Sequence, residues 1–417
     1  MADFFQNGSI TTLHNLTRRS IEDLERELSA FAQKRSIGLV LPCLYTELEG
    51  PALENIVQEL SKVPYLDQIV IGLDRANEKQ FAHAKEYFSR LPQEHTVLWH
   101  DGPRLTALDK ELSELGLAPT EPGKGRNVWY CFGYMLALRN VDVIGLHDCD
   151  ILTYNREMLV RLLYPVVHPV FPYVFAKGFY PRINEQKLGG RVTRLLITPL
   201  LEALRKVCGE NDYLRFLDSF RYPLAGEFAM RSHVVSDIRI PSDWGLEIGV
   251  LSEVRRNYSN RVIAQVEIAD KYDHKHQEIS AGDVTKGLSR MSVDISKAVF
   301  RKLATDGEIF SAEKFRTIKA TYYREALDRI DCYYNDAMMN DLTLDRHTEE
   351  AAVELFARNI MVAGETYLQN PMETPFLPSW NRVNAAKSDF LLRYAEAVKL
   401  DNAELSLNIG NPYALIR

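Results

Sequence analysis

The sequence predicts an α/β fold in which a mainly parallel sheet is flanked by helices and followed by a helical C-terminal region. Three observations predict it. Short apolar segments alternate with amphipathic ones through the first 150 residues, two acidic residues follow the fourth apolar segment, and long helical stretches occupy the sequence after about residue 290. Strands that alternate with helices of this length favour parallel βα units whose sheet is covered on both faces.

The predicted elements follow in order along the chain. A first helix is predicted over 21–34 with Ser20 as its N-cap, because a serine hydroxyl accepts a hydrogen bond from an amide of the first helical turn. The next elements are predicted as strand 37–41, helix 52–61, strand 68–73, helix 78–90, strand 96–99, helix 127–138 and strand 141–146. Ligands of such sheets bind beyond the carboxyl ends of the strands, so the residues after the fourth strand are the first candidates for a site.

The alternation becomes irregular after residue 150. Further elements are predicted as strands 174–179 and 262–268, helices 192–206 and 245–257, and long helices 311–339, 348–369 and 379–399. We therefore predict an α/β domain over 1–285 and a helical region over 286–417. The helical region carries Tyr322, Tyr323, Tyr333 and Tyr334, which we expect to form a homodimer surface, with packing inside the chain as the alternative.

Composition and charge exclude several classes of protein. The 417 residues are 46% hydrophobic and 26% charged, which is typical of globular proteins and not of disordered or coiled-coil chains. Lysine and arginine number 50 against 57 aspartates and glutamates, a net charge of −7, so no nucleic-acid partner is expected and phosphate binding requires local cations or a metal. We expect no signal peptide, no membrane span and, from five widely separated cysteines, a cytoplasmic location.

Two aspartates follow the fourth predicted strand in the sequence HDCDIL. Asp148 and Asp150 point to the same side of an extended chain, because side chains two residues apart share a face. Together they offer hard oxygen ligands to Mg²⁺ or Mn²⁺ bridging a diphosphate, with a solvated turn as the alternative. A phosphatase that uses the first aspartate as nucleophile is disfavoured, since that chemistry places the pair after the first strand.

Two glycine-rich segments carry cations at the starts of predicted helices. The first, EPGKGRN, contains Lys124, and the second, KLGGRVTRLL, contains Arg191, Thr193 and Arg194. Backbone amides at a helix N-terminus, a hydroxyl and guanidinium groups favour phosphate or carboxylate. The first segment lacks the P-loop spacing, and an exposed polar turn is the alternative for both.

A glutamate and two histidines complete the set of candidates. Glu247 lies in the apolar helical segment DWGLEIGVL, where a carboxylate is costly unless it is paired or part of a site. His274 and His276 follow the last predicted strand, and they are either metal ligands or members of a polar loop.

Taken in order, these segments resemble the glucosyl-3-phosphoglycerate synthases, a family of retaining GT-A glycosyltransferases. The match consists of PGKG at 122–125, the aspartate pair, GRVT at 190–193, and GLEIGVL at 245–251 with the downstream histidines. LAGEFAMR at 224–231 is also similar to the family. Mannosyl-3-phosphoglycerate and mannosylglycerate synthases are related, so the sugar is less constrained than the reaction. The resemblance covers about residues 36–280 and implies a GT-A fold for the domain over 1–285.

The resemblance implies a role for each matched position. Asp150 with His274 would hold Mg²⁺ or Mn²⁺, Asp148 would contact the metal or the nucleotide ribose, and Glu247 would bind hydroxyls of the transferred sugar. Donor-binding residues would be Pro42, Leu44, Glu47, Lys124 and Asp148, and acceptor-binding residues would be Gly190, Arg191, Val192, Thr193 and His276. Glu247 and Asp150 are the residues implied for catalysis.

Two departures from the family pattern fall where the nucleotide would bind. Tyr45, Thr46 and Glu47 replace an Asn-Glu pair after the first strand, and the segment 73–80 replaces a serine-rich turn after the second. The base of the donor, UDP or GDP, therefore stays open.

The implied activity is transfer of glucose from a nucleoside-diphosphate glucose, UDP-glucose or GDP-glucose, to 3-phosphoglycerate. The nearest alternative is a mannosyl-3-phosphoglycerate or mannosylglycerate synthase that uses GDP-mannose. The alternative from another class is a nucleotide-binding protein that has lost activity.

Overall fold

A computed structural model describes residues 6, 8–17, 19–118, 123–184, 186–274, 287–371 and 376–409, and for 404–409 it describes the backbone alone. Twelve strands are present in these ranges. They are β1 (Thr11–Leu13), β2 (Ile37–Leu44), β3 (Gln68–Asp74), β4 (His95–Trp99), β5 (Val143–Leu146), β6 (Phe175–Phe179), β7 (Ile183–Asn184), β8 (Lys187–Leu188), β9 (Phe228–Arg231), β10 (Ile240–Pro241), β11 (Ile263–Glu267) and β12 (Phe376–Leu377).

Fifteen α-helices are present in the same ranges. They are α1 (Ile21–Ala32), α2 (Pro51–Leu60), α3 (Glu78–Phe88), α4 (Pro103–Glu114), α5 (Lys124–Leu138), α6 (Arg156–Val167), α7 (Thr198–Cys208), α8 (Asp212–Asp218), α9 (Ser232–Asp237), α10 (Leu246–Asn257), α11 (Gly287–Thr305), α12 (Ala312–Met339), α13 (Arg346–Gln369), α14 (Trp380–Ala386) and α15 (Phe390–Ile409). None of these helices is both long and apolar enough to cross a membrane.

The central sheet has eight strands in the order β1-β11-β6-β9-β5-β2-β3-β4. Seven of them run parallel, and β9 pairs antiparallel with both β5 and β6. The predicted mainly parallel sheet is therefore confirmed. The short strands β1 and β9 were not predicted. Two small antiparallel pairs, β7 with β8 and β10 with β12, lie outside the main sheet.

Most predicted helices are confirmed, and the Ser20 hydroxyl accepts a hydrogen bond from the Asp23 amide, as its predicted N-cap role requires. The single helix predicted over 379–399 is wrong, because the chain forms α14 and α15 there. The break lets the Trp380 ring lie between the rings of Trp129 and Tyr394, at centroid distances of 4.1 and 6.2 Å.

The predicted helix over 192–206 is a π-helical turn, Val192–Ile197, that continues into α7. Pro199 has no amide proton to donate to the carbonyl of Leu195, four residues earlier. The buried hydroxyl of Tyr322, on α12, donates to that carbonyl at 2.6 Å. Tyr322 therefore packs inside the chain and does not belong to a free surface.

The C-terminal helices share a hydrophobic core with the sheet-bearing part of the chain. This core joins Trp129 and Leu195 to Phe300, Phe356 and Trp380. The division into 1–285 and 286–417 stays a prediction, and the shared core fixes the helix that begins at Lys124 against the C-terminal segment.

Candidate active site

A cavity of about 380 Å³ opens beyond the carboxyl end of β5, where ligands of parallel sheets bind. Four parts of the chain meet there: the start of α5, the residues after β5, the loop before the π-helical turn and the start of α10. Predicted site residues from separate segments line it together, namely Lys124, Asp148, Gly190, Arg191, Val192, Glu247 and His274.

Lys124 lies at the centre of the charged wall. Its ammonium Nζ is 2.8 Å from Asp148 Oδ1 and 3.1 Å from Glu247 Oε1. Burial lowers the pKa of Lys124, but the two carboxylates outweigh burial and raise it above its ordinary value. Burial alone would raise the pKa of Asp148. The nearby ammonium of Lys124 outweighs burial, so the pKa of Asp148 is lower than its ordinary value. The ammonium of Lys124 therefore lies within ion-pair distance of both carboxylates.

Gly226 permits this close arrangement. A Cβ atom at that position would lie 2.4 Å from Asp148 Oδ2, which is closer than real contacts allow, and 3.1 Å from Lys124 Nζ. The preceding residue, Ala225, is held from behind by the buried Lys177, whose Nζ donates to the Ala225 carbonyl at 2.6 Å. Burial lowers the pKa of Lys177 to about 8.

Asp150 has the features of a cation ligand. Its Oδ1 is buried without a hydrogen-bond partner among the described residues, and its Oδ2 is 3.8 Å from His274 Nδ1, too long for a hydrogen bond. Burial, and then the charge of Asp148, raise the pKa of Asp150 to about 7. A bound divalent cation would relieve both effects. The bridge between Ile151 and His274 brings the segments of the two predicted ligands together.

The donor set fits Mg²⁺ or Mn²⁺ that is completed by a diphosphate. Within the described ranges no group of three or more acidic, histidine or cysteine side chains could hold a metal ion by itself. Asp150 and His274 would supply two protein ligands, and ions of this type take their remaining ligands from phosphate oxygens and water. Asp148, the third predicted ligand, directs both carboxylate oxygens at Lys124.

A buried carboxylate that the sequence analysis missed supports the segment of His274. Glu227 is fully buried and accepts hydrogen bonds from Tyr180 at 2.5 Å and from Tyr272 at 2.7 Å. The two tyrosine rings stack at a centroid distance of 3.8 Å. The glutamate within the largely apolar segment LAGEFAMR, just before β9, was the available signal, because an acidic residue is rarely buried without partners.

The predicted acceptor cradle begins at Gly190, whose φ of +73° favours glycine. Arg191 lines the cavity, and its Nε donates to Glu349 Oε1 at 2.7 Å. Arg194 Nη1 is 2.8 Å from the other oxygen of the same carboxylate. The hydroxyl of Thr193 is buried and has no hydrogen-bond partner among the described residues. Glu349, on α13, is a second residue that the sequence analysis missed.

The other predicted donor residues lie at the end of β2 and do not line this cavity. Pro42 is half-buried and Leu44 is 38% exposed. Glu47 lies in the short 3₁₀ helix Tyr45–Glu49, and its charge contributes to the raised pKa of Asp150 after burial and Asp148. His276 and Pro122 lie outside the described residues.

No family model matches the sequence. Two curated relatives match over nearly their whole length. The glucosyl-3-phosphoglycerate synthase of Persephonella marina is 47% identical over 404 residues, 97% of this chain and 100% of the relative. The enzyme of the same name from Methanococcoides burtonii is 38% identical, over 96% of this chain and 98% of its own length.

A solved structure shows the same fold. It is the glucosyl-3-phosphoglycerate synthase of Mycobacterium tuberculosis in complex with Mn²⁺, UDP-glucose and phosphoglyceric acid. The TM-score is 0.52 at 22% identity, and the match covers 71% of this chain and 88% of the solved one. The similarity extends to the architecture of the sheet and its flanking helices.

Proposed function

Because the chain belongs to the glucosyl-3-phosphoglycerate synthase family and has the GT-A fold, we propose that it transfers glucose from a nucleoside-diphosphate glucose to 3-phosphoglycerate with retention of configuration. The observation that carries the proposal is the cavity in which Lys124, Asp148 and Glu247 meet the loop of Gly190 and Arg191. Its volume of about 380 Å³ lies in the range of small-molecule sites.

The donor side of the proposal rests on Lys124 and on the pair Asp150 and His274. Negative charge grows on the diphosphate as the sugar departs, and a fixed ammonium beside it stabilises that charge. Asp150 and His274 would hold Mg²⁺ or Mn²⁺, which when bound supplies further positive charge to the diphosphate oxygens. UDP-glucose, bound in the solved relative, is the first donor to test, with GDP-glucose second.

The acceptor side rests on the loop before α7. Gly190, Arg191 and Val192 line the cavity, and the next residue, Thr193, has a buried hydroxyl without a hydrogen-bond partner among the described residues. A helix start with these donors favours a phosphate group. The proposed acceptor is therefore phosphorylated, and free glycerate is the weaker one.

The proposed chemistry is attack by the acceptor hydroxyl on the same face from which the diphosphate departs. The departing phosphate oxygen takes the hydroxyl proton, so no side chain has to act as general base. Glu247, held by Lys124 at 3.1 Å, accepts hydrogen bonds from sugar hydroxyls and fixes the sugar beside the acceptor.

The proposal includes a cytoplasmic location. The five cysteines, Cys43, Cys131, Cys149, Cys208 and Cys332, are free thiols, which supports that location.

The predicted homodimer stays a prediction. Of the four tyrosines suggested for its surface, Tyr323 and Tyr334 are exposed, whereas Tyr322 is buried.

A panel of donors and acceptors tests the proposal. Release of nucleoside diphosphate is measured with UDP-glucose, GDP-glucose and GDP-mannose against 3-phosphoglycerate and glycerate, with Mg²⁺ or with a chelator. We expect release with a glucose donor, 3-phosphoglycerate and metal together. Release with GDP-mannose alone would establish the mannosyl alternative, and tight nucleotide binding without any release would establish the non-catalytic one.

A further inference from the structure

Lys177 is a lysine of β6 that lies behind the wall of the cavity without lining it. Its side chain is fully buried, and its Nζ donates to the Ala225 carbonyl at 2.6 Å and lies 5.5 Å from the centre of the Phe228 ring. No carboxylate of the described residues lies within ion-pair distance of this ammonium. A buried charge without an ionic partner is costly, so a lysine in this position is a candidate for a functional role.

The turn that Lys177 holds forms part of the cavity wall. Leu224 and Gly226, on either side of Ala225, line the cavity. The backbone of Gly226 packs directly on a carboxylate, because a Cβ atom there would lie 2.4 Å from Asp148 Oδ2. The position of the Ala225 carbonyl therefore controls how closely the turn approaches Asp148.

Four charged groups act on the ammonium of Lys177 from the surrounding elements. They are Asp148 after β5, Glu227 before β9, Glu247 on α10 and Lys124 on α5. The three carboxylates favour the protonated form of Lys177, whereas Lys124 opposes it. Burial is the largest effect and lowers the pKa of Lys177 to about 8, so its charge can be removed in mildly alkaline solution.

We propose that Lys177 is a positioning residue for glucose transfer, an inference that rests on the proposed function. Its ammonium holds the Ala225 carbonyl, which keeps the backbone of Gly226 against Asp148. A charged donor makes a stronger hydrogen bond than a neutral amine, so turnover falls when Lys177 loses its proton. Lys177 does not line the cavity, so its loss should lower kcat more than it raises either KM.

The first test is the pH profile of the unaltered protein. With saturating UDP-glucose, 3-phosphoglycerate and Mg²⁺, we expect kcat to fall about tenfold or more between pH 7 and 9.5, with a midpoint near pH 8. Lys124 and Tyr272 keep their protons in this range, because the pKa of each is raised above its ordinary value. Circular dichroism should show a folded protein throughout. A constant kcat would overturn the proposal, and so would a fall that follows loss of folded protein.

The second test uses Lys177→Met, which removes the charge and keeps the length of the side chain. At pH 7.5 its kcat should be lower about tenfold or more, both KM values should stay within about threefold, and the alkaline fall should be absent. A kcat equal to that of the unaltered protein, or an alkaline fall that persists, would overturn the proposal.

Arg161→Met is the matched control, because the Nε of the half-buried Arg161 also donates to a backbone carbonyl, that of Glu267, at 2.6 Å but the residue does not line the cavity. It should keep both kcat and the alkaline fall, and a profile like that of Lys177→Met would overturn the proposal. If Lys177→Met does not fold, the pH profile of the unaltered protein decides. Absence of transfer in the unaltered protein at any pH would instead refute the proposed function.

Discussion

The carboxylate of Glu349 holds Arg191 at 2.7 Å across 158 positions of sequence. Glu349 is 2% exposed and also contacts Arg194, whose side chain is 8% exposed. A residue of the C-terminal helices thus fixes Arg191 of the predicted acceptor loop and Arg194 of the π-helical turn that follows it.

Replacement of Glu349 tests this relationship. Glu349→Gln leaves a buried guanidinium without its counterion, so the free energy of unfolding should fall by about 3 kcal/mol. The KM for 3-phosphoglycerate should rise severalfold and the donor KM should not change. Urea unfolding measures the free energy of unfolding, and initial rates measure the two KM values. Glu350→Gln on the same helix, whose exposed carboxylate pairs with Arg346, should change neither, and equal behaviour of the two variants would contradict the role of Glu349.

Lys124 provides the second prediction. In Lys124→Met the carboxylates of Asp148 and Glu247 lose the ammonium between them, and the departing diphosphate loses a cation. The turnover number should fall about a hundredfold or more. Lys124→Arg keeps the charge and should recover part of the rate. A turnover number in Lys124→Met within twofold of the unaltered protein would remove this residue from the chemistry.

Asp150 provides a prediction about metal binding. Asp150→Asn removes the charge of one of the two proposed protein ligands, so the affinity for Mn²⁺ in the presence of UDP should fall at least about a hundredfold. Isothermal titration measures this without turnover. The control is Asp142→Asn. Asp142 is exposed, lies far from the cavity and accepts a hydrogen bond from the Ser36 amide. Unchanged Mn²⁺ affinity in Asp150→Asn would show that the metal is held elsewhere.

Lys177 gives a prediction about pH. Its pKa is about 8 in the folded chain and about 10.4 in an unfolded one. Between these values the unfolded state binds more protons, so stability rises with pH by up to about 1.4 kcal/mol per unit. Below pH 8 both states are protonated and this contribution is constant. The free energy of unfolding is measured at pH 7.5 and at pH 9.5 in both proteins. Between these two pH values it should rise more in the unaltered protein than in Lys177→Met. A pH-independent difference between the two proteins would mean that Lys177 titrates normally.

Much of the sheet and the local motifs of the site could be predicted from the sequence. The strands β2 and β3 are nearly continuous apolar runs of eight and seven residues, and Asp148, Lys124 and Gly190 each belong to a short segment whose chemistry is visible locally. These features depend on neighbours in sequence, which the pattern contains.

The partners of those residues could not be predicted. Glu349 reaches Arg191 through tertiary packing, and the Tyr322 hydroxyl donates to a carbonyl 127 positions away. A surface-like glutamate on a long amphipathic helix gives no sign in sequence of which arginine it will meet. The split between α14 and α15 was missed for the same reason, because it serves the stacking of Trp380 on Trp129.

One measurement tests the central claim most directly. The protein is incubated with UDP-glucose, 3-phosphoglycerate and Mg²⁺, and the anomeric configuration of the new glycosidic bond is determined by proton NMR. We predict an α-linked glucosyl-3-phosphoglycerate, and no product when a chelator removes the metal. A β-linked product, or no transfer to 3-phosphoglycerate from either UDP-glucose or GDP-glucose, would contradict the account.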